Sequence, residues 1–564
     1  MSFFERLIDF NTKVNDFIWV KLGLILLLGT GMLMTLRTGG FQFRYIGHWL
    51  KNTVGSLFNK KVSVHSHEKA SISQFQALCT ALAATVGVGN IAGVAAAIAT
   101  GGPGAVFWMW IAALFGMITS YSESVLGIYY RRKNKAGEWT GGAMYYLQDG
   151  LGGLKMPRHR RTWLFVSLAA AGMCFFDAAI LREQTISILF LILGGAAALI
   201  FAACLFHVKR VGRFLACAFA CFTVLASFGI GNASQINTIA VNISEAFHLP
   251  ALESIPVGSS NLYMLLIGLI LMAIAALVIL GGIKRIAGVT EKIVPFMVLA
   301  YLLGALIVLW DNISVIPSAF GAIFRTAFGT KAVAGGFAGI AAKEVISWGF
   351  KRGVYSNEAG LGSSVIVNSA SNVKEPVRQG MWGIFEVFAD TIVICTLTAL
   401  VILTSGLVDL TTGQMLTDSA KTVLVAQAFS RSFGSFGNIF IAISVFLFAF
   451  STVLGWSYYG NKAWEYLFGT KSTILYKILF VLFIVFGAVM HLDLAWEISD
   501  TFNGLMMLPN LIGVAVLSGT VAAITKNYIR RHFKKEKLPP MLSAFEDIQT
   551  QQEEALKNEQ QGYD

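Results

Sequence analysis

The chain reads as an all-α polytopic membrane protein, and three observations carry that reading. Of its 564 residues, 55% are apolar and 13% charged, with 43 Phe, and the mean hydropathy is +0.66; a soluble enzyme of this size needs far more charged surface. Apolar runs long enough to cross ~30 Å of hydrocarbon as helices recur along the chain. Lys and Arg fall in alternate loops between those runs, the asymmetry that orients spans in a bilayer.

The runs lie at residues 17–36, 73–99, 104–130, 162–181, 186–206, 214–241, 262–282, 290–310, 332–350, 381–403, 437–459, 474–490 and 502–524. The first has no small-residue cleavage site and is long enough to span, so it is expected to stay as a membrane helix. Loops at 37–69, 131–161, 209–213, 284–285, 343–378, 462–471 and 526–537 are basic. The intervening ones hold Arg182 with Glu183, Glu245 and Glu253, Asp311, Asp409 and Asp418, and the acidic stretch 493–500. This alternation predicts thirteen crossings of a cell membrane, with the amino terminus outside and the carboxyl terminus inside. Lys331 and Arg431 sit against the trend on the expected outer side.

The same placement accounts for the net charge of +12: basic residues scattered over loops form no single face for nucleic acid. The six Cys lie in apolar stretches without metal-ligand spacing and read as small buried hydrophobes. Residues 41–61 mix aromatic and basic side chains, which suits an amphipathic helix on the cytoplasmic surface. GGAMYYLQDGLG at 141–152 reads as an interfacial or re-entrant piece. From Lys534 the chain turns polar and is expected to be unstructured.

The chemistry is expected where a span breaks. TALAATVGVGNIAG at residues 80–93 sets glycines and polar side chains inside a run long enough to span. Unwound backbone at membrane depth persists only where it is buried in protein or lines a cavity. Thr85, Asn90 and the carbonyls freed by the break are oxygen ligands suited to a hard cation such as sodium. N–H groups opening the second half-helix suit a carboxylate, with no side chain at Gly87 or Gly89 in the way. Close helix packing by small residues is the competing account; a dinucleotide loop is excluded by the wrong glycine spacing and the lack of a βαβ unit. In FSTVLGW at 450–456, Ser451 and Thr452 can offer hydroxyls to a cation, with Trp456 one turn beyond Thr452. In GIGNASQIN at 229–237, Asn232 and Gln235 share one helical face, and Gln235 can orient a substrate group or join two helices.

Glu123, Asp177, Glu344, Glu386 and Asp390 are acidic residues at or near membrane depth and are functional suspects on that ground. Glu386 and Asp390, four apart and close to Lys374 and Arg378, read as a structural salt bridge or cytoplasmic gate, with a proton relay as the alternative. No nucleophile, base and orienter show recognisable spacing, and neither HExxH nor GxxxxGK[ST] occurs, so a transporter is expected and not an enzyme.

TALAATVGVGNIAGVAAAIATGGPGAVFWMW (80–110), GGAMYYL (141–147), GIGNASQINTIA (229–240), RGVYSNEAGLGSS (352–364), PVRQGMWGIFEVFADTIVICTLTALVILTSG (376–406) and FSTVLGWSYYG (450–460) occur in this order. On these motifs the chain resembles the alanine or glycine:cation symporters, a branch of the amino acid, polyamine and organocation transporters. The resemblance implies a leucine-transporter-type core of two five-helix repeats in opposite orientation, about 11 spans in all. The two runs within 162–206 would then be an inserted hairpin. Residues 1–72 would form the first span and an amphipathic segment, 73–310 the first repeat, 311–525 the second and 526–564 a cytoplasmic tail. It further implies that Ala83 and Val86 offer carbonyls to a sodium ion together with Ser451 and Thr452. Thr85 and Asn90 would make a second polar contact, Gly87 and Gly89 would meet the substrate carboxylate, and Asn232, Gln235, Trp456 and Phe337 would line the pocket. The expected activity is sodium-coupled import of a small neutral amino acid, alanine or glycine or else glutamine, with no organic cofactor. Rival readings are a proton-coupled carrier of another small solute and, in a different class, an amino-acid-binding sensor or a channel.

Overall fold

A computed structural model describes residues 11–15, 17–57, 72–135, 137–153, 167–174, 194–195, 198, 208–257, 260–328, 338–419, 421–490 and 492–561. The helices that position the site are α1 (Leu24–Arg37), α2 (Gln74–Thr85), α3 (Val94–Gly101), α4 (Gly104–Tyr129), α5 (Val208–Phe228), α6 (Ser234–Ala246), α7 (Leu262–Ile279), α8 (Gly282–Asp311), α9 (Ile316–Ala327), α10 (Ala338–Asn357), α11 (Pro376–Val387), α12 (Thr396–Thr404), α13 (Lys421–Phe433), α14 (Phe436–Phe468), α15 (Thr473–Val489), α16 (Leu492–Val516), α17 (Ser518–His532) and α18 (Glu546–Gln561). Among the described residues strands form only two short two-stranded hairpins.

Eight helices are long and apolar enough to cross a membrane, or up to ten if each of two bent pairs counts as one span. These ten coincide with ten of the thirteen expected runs. The runs at 162–181 and 186–206, with Asp177, lie largely outside the described residues. The run at 332–350 falls partly outside them and partly on α10, where it carries Lys343 and Glu344. The run at 502–524 is two helices meeting near Leu517 at a bend of 57°.

Bilayer contact explains the outer helices. α7 exposes Leu266, Leu269, Ile270, Ile274 and Leu277, α8 exposes Phe296, Leu299, Leu303, Leu306 and Ile307, and α15 exposes Ile478, Leu479, Leu482 and Phe486. In water these would be one large sticky patch; against lipid tails they are ordinary. The centre packs by small residues. On α11, a Cβ at Gly383 would stand 2.8 Å from the Ser120 carbonyl of α4, and one at Gly380 would strike the Tyr121 ring. On α10, a Cβ at Gly349 would strike the Ala105 carbonyl. α4 is thereby gripped by α10 and α11 at backbone distance.

The polar tail is folded, contrary to expectation. Ala544 N–H donates to the Tyr129 carbonyl at 2.9 Å, Lys374 Nζ donates to the Ala555 carbonyl at 3.1 Å, and Leu542 is buried. The segment is polar because one face meets water, and the other closes over the end of α4.

Candidate functional site

α2 begins with a capping box: Ser73 Oγ accepts from Gln76 N–H at 3.0 Å, and Gln76 Oε1 accepts from Ser73 N–H at 3.2 Å. It ends at Thr85, and the chain turns by 47° into Gly89–Gly101. The first turn after the break, Gly89–Gly93, is π-helical, a widening that loosens the backbone ladder and is frequent at functional sites. Every residue from Ala77 to Ile98 is buried, so the broken backbone must be satisfied from within the protein.

Side chains do this. Asn90 Oδ1 accepts from Gly87 N–H at 2.9 Å, and Gln235 Oε1 accepts from Val88 N–H at 3.2 Å while its Nε2 donates to the Ile230 carbonyl at 2.9 Å. Gln235 therefore ties the break in this span to a second π-helical turn, Gly229–Ala233, between α5 and α6. The glycines are required by proximity: a Cβ at Gly89 would lie 3.0 Å from Ser356 Cα, and one at Gly87 would strike Thr452 Oγ1 and lie 3.2 Å from Gln235 Oε1.

On the opposite side, α14 brings Ser451 and Thr452 to the end of α2. Thr452 Oγ1 reaches the Ala83 carbonyl at 2.9 Å and Ser451 Oγ reaches it at 3.3 Å, while both also contact the Phe448 carbonyl of their own helix. Oxygens from two elements thus converge beside the break, the chemistry that suits a hard monovalent cation. Trp456, one turn on, is fully buried and donates its indole N–H to Glu358 Oε1 at 2.7 Å. A Cβ at Gly231 would strike that indole, so the second π-helical turn lies against the ring.

Not every expected residue joins this cluster. Thr85 Oγ1 turns back to the Ala81 carbonyl at 3.2 Å, the usual habit of a hydroxyl in a span. Asn232 donates to the Phe480 carbonyl of α15 at 2.8 Å and so joins two helices. Val86 is buried in the break at φ −78° and ψ 85°, outside the helical range, and Phe337 lies outside the described residues.

Three residues that sequence reasoning undervalued or missed belong here. Asp390 accepts from Asn90 Nδ2 at 2.6 Å, from Ser356 Oγ at 2.8 Å and from Thr391 Oγ1 at 2.8 Å. It sits on a third π-helical stretch, Phe388–Cys395, in contact with Gly89–Gly93. Among the described residues no salt bridge joins Asp390 to the basic loop: Arg378 pairs with Glu375 at 3.6 Å, and Lys374 reaches the Ala555 carbonyl. Glu386 is likewise buried without an ion pair among the described residues, its Oε2 accepting from Asn368 Nδ2 at 3.4 Å. Glu358 follows α10 at φ +56°, in the loop with Gly360 and Gly362, and accepts from Trp456 and from Ser363 Oγ at 2.6 Å. The signal was present in RGVYSNEAGLGSS, an acidic residue among glycines, but hydropathy put Glu358 beyond the end of a span. Ser356, the third, reads as an ordinary loop hydroxyl without the fold.

The sequence profile described as the sodium:alanine symporter family matches residues 4–214 and 192–542. A sodium/alanine symporter of Methanococcus maripaludis is 41% identical over 93% of this chain and 98% of its own length. An amino-acid carrier protein of Bacillus subtilis is 33% identical over 96% of each chain. A probable sodium/glutamine symporter of the same organism is 34% identical over 92% of this chain and 90% of its own. A multi-pass helical membrane protein built around a broken, polar, fully buried span, and matched along nearly its whole length, this chain belongs to the sodium:alanine symporter family.

Proposed function

We propose that the chain is a secondary transporter that couples sodium entry to import of a small neutral amino acid, alanine or glycine or else glutamine. The observation that carries this reading is the meeting of the Ser451 and Thr452 hydroxyls on the Ala83 carbonyl beside the break. Ala83, Val86, Ser451 and Thr452 hold the sodium ion. The substrate carboxylate takes the N–H groups at Gly87 and Gly89, beside Asn90, which holds the Gly87 N–H, and Gln235, which holds that of Val88, and Thr85, Asn232 and Phe337 contribute to the wall. Trp456 closes the pocket on the other side. Sodium bound at the break favours the outward-facing form that accepts the amino acid, and relative motion of two inverted repeats, 73–310 and 311–525, opens the other side.

The amino terminus is outside and the carboxyl terminus inside by the distribution of Lys and Arg. In this reading the two runs within 162–206 form an inserted hairpin. A second reading, proton coupling, draws on buried carboxylate oxygens with no hydrogen-bond partner, Glu386 Oε1 and Glu123 Oε2, where a proton can reside.

Uptake of labelled alanine, glycine and glutamine into proteoliposomes under a sodium gradient, a proton gradient or neither tests both. Sodium-driven accumulation supports the first reading, proton-driven accumulation supports the second, and no uptake by folded protein rejects both.

A further inference from the structure

α14 runs on past the site, and beside its last turns lies a second polar space. A cavity of about 160 Å³ opens between α14, the α7–α8 turn, the start of α15 and the hairpin after α4. Glu138, Tyr458, Asn461, Lys462, Glu465 and Lys477 are among its lining residues. Tyr458 and Lys462 stand two and six residues beyond Trp456, so at 1.5 Å per residue the cavity starts about 3 Å along the helix from the site and its charged part about 9 Å along. The loops around it are basic ones, 131–161, 284–285 and 462–471.

The charges in this space are unevenly matched. Lys462, 5% exposed, pairs with Glu465 at 2.9 Å and with Glu138 at 3.4 Å, and so takes both carboxylates. Lys477, half-buried, lines the same cavity and makes no hydrogen bond or ion pair among the described residues. Asn461 Oδ1 is buried without a hydrogen-bond partner. Two ammonium groups and two carboxylates sum to zero, yet one cation and one acceptor are left over. A lone anion would suit Lys477 and leave Asn461 unsatisfied, and a lone cation would be repelled by Lys477. A ligand carrying both signs on one carbon satisfies the set, its carboxylate on Lys477 and its ammonium on Asn461 Oδ1, and adds no net charge to the cavity. The volume, well below the ~300 Å³ at which pockets for drug-sized molecules begin, admits only a small one.

We propose that this cavity is a second site for the zwitterionic amino acid, weaker than the central one, where substrate pauses between the broken helix and water. The proposal rests on the function proposed above. Its test is equilibrium binding of labelled alanine to the purified full chain in saturating sodium. Wild type is expected to bind two molecules per chain, Lys477→Gln and Asn461→Leu one each, and Gly89→Leu one, with the remaining site of Gly89→Leu lost on adding Lys477→Gln. A stoichiometry of one in wild type that neither Lys477→Gln nor Asn461→Leu changes, but Gly89→Leu abolishes, overturns the second site and keeps the central one. Absence of alanine, glycine and glutamine binding to folded wild type overturns the transport reading itself.

Discussion

Asn90, in the broken span, donates its amide to Asp390, in the span that starts at Pro376, at 2.6 Å. With its Oδ1 the same side chain accepts the Gly87 N–H, so one residue links the backbone of the break to a buried carboxylate. Ser356 and Thr391 complete the set on the other carboxylate oxygen.

Asp390→Asn places an amide where both oxygens now accept. The Ser356 and Thr391 hydroxyls must then reverse to accept or lose their bonds, at a cost of about 1–3 kcal/mol for a buried group left unsatisfied. Uptake is expected to fall about tenfold or more with normal amounts of protein in the membrane. Uptake equal to wild type would limit Asp390 to packing.

Thr452→Ala removes the hydroxyl that reaches Ala83 at 2.9 Å, and Ser451→Ala the one at 3.3 Å. If these oxygens bind the coupling ion, each substitution should raise the sodium concentration for half-maximal uptake, Thr452→Ala more, by about fivefold for an interaction of ~1 kcal/mol. The amino acid concentration dependence at saturating sodium should move less. An unchanged sodium dependence would remove both residues from the ion site.

Gly89→Leu must put a side chain where Ser356 Cα stands 3.0 Å from the Cβ position and the Tyr355 ring 3.3 Å from it. Backbone cannot give as a flexible side chain can, so α10 has to move away from the break. Substrate binding at the break is expected to be lost while the protein still inserts, because the outer helices are untouched. Wild-type affinity there would sink the carboxylate assignment.

Glu375, which precedes α11, is buried against Arg531 and His532 at the end of α17. Burial works against its charge, but the hydrogen bonds and charges of His532 and Arg531 outweigh it and hold the carboxylate below its usual range. A depressed carboxylate stabilises the fold above its unfolded pKa of about 4.5, and that stability is lost as pH falls through the lower folded value. Thermal melting of solubilised protein should therefore decline below about pH 4.5. Glu375→Gln should cost about 2 kcal/mol at neutral pH and flatten the acid limb. An acid limb as steep in the variant would place the effect elsewhere.

How much of this was legible depended on whether local pattern or tertiary contact decided each feature. The broken span was legible because Thr-Val-Gly-Val-Gly-Asn interrupts an apolar run on its own, and the hydroxyls at 451 and 452 because two adjacent ones in a span are unusual. Thr85 and Asn232 are of the right residue type, but their bonds to Ala81 and Phe480 depend on rotamer and neighbour, which no motif encodes. Asp390 sits near Lys374 and Arg378 in sequence, yet the fold sends those cations to Ala555 and Glu375 and turns the carboxylate inward. The tail reads as unstructured by composition alone, because its anchors are backbone carbonyls of Tyr129 and Ala555.

Trp456 and Glu358 form the contact by which the second glycine-rich loop meets α14, at 2.7 Å and wholly buried. Trp456→Phe keeps an aromatic wall but removes the N–H, leaving Glu358 with Ser363 as its remaining side-chain donor. Glu358→Gln keeps an acceptor for the indole and removes the carboxylate. If the pair acts through its hydrogen bond, Trp456→Phe should reduce uptake more than Glu358→Gln, which still accepts from the indole, and the double variant should be no worse than Trp456→Phe, in which the bond is already lost. If Glu358 also meets the substrate ammonium, Glu358→Gln should raise the half-saturating amino acid concentration whereas Trp456→Phe should not. Additive losses in the double variant would separate the two residues and leave the indole as a wall alone.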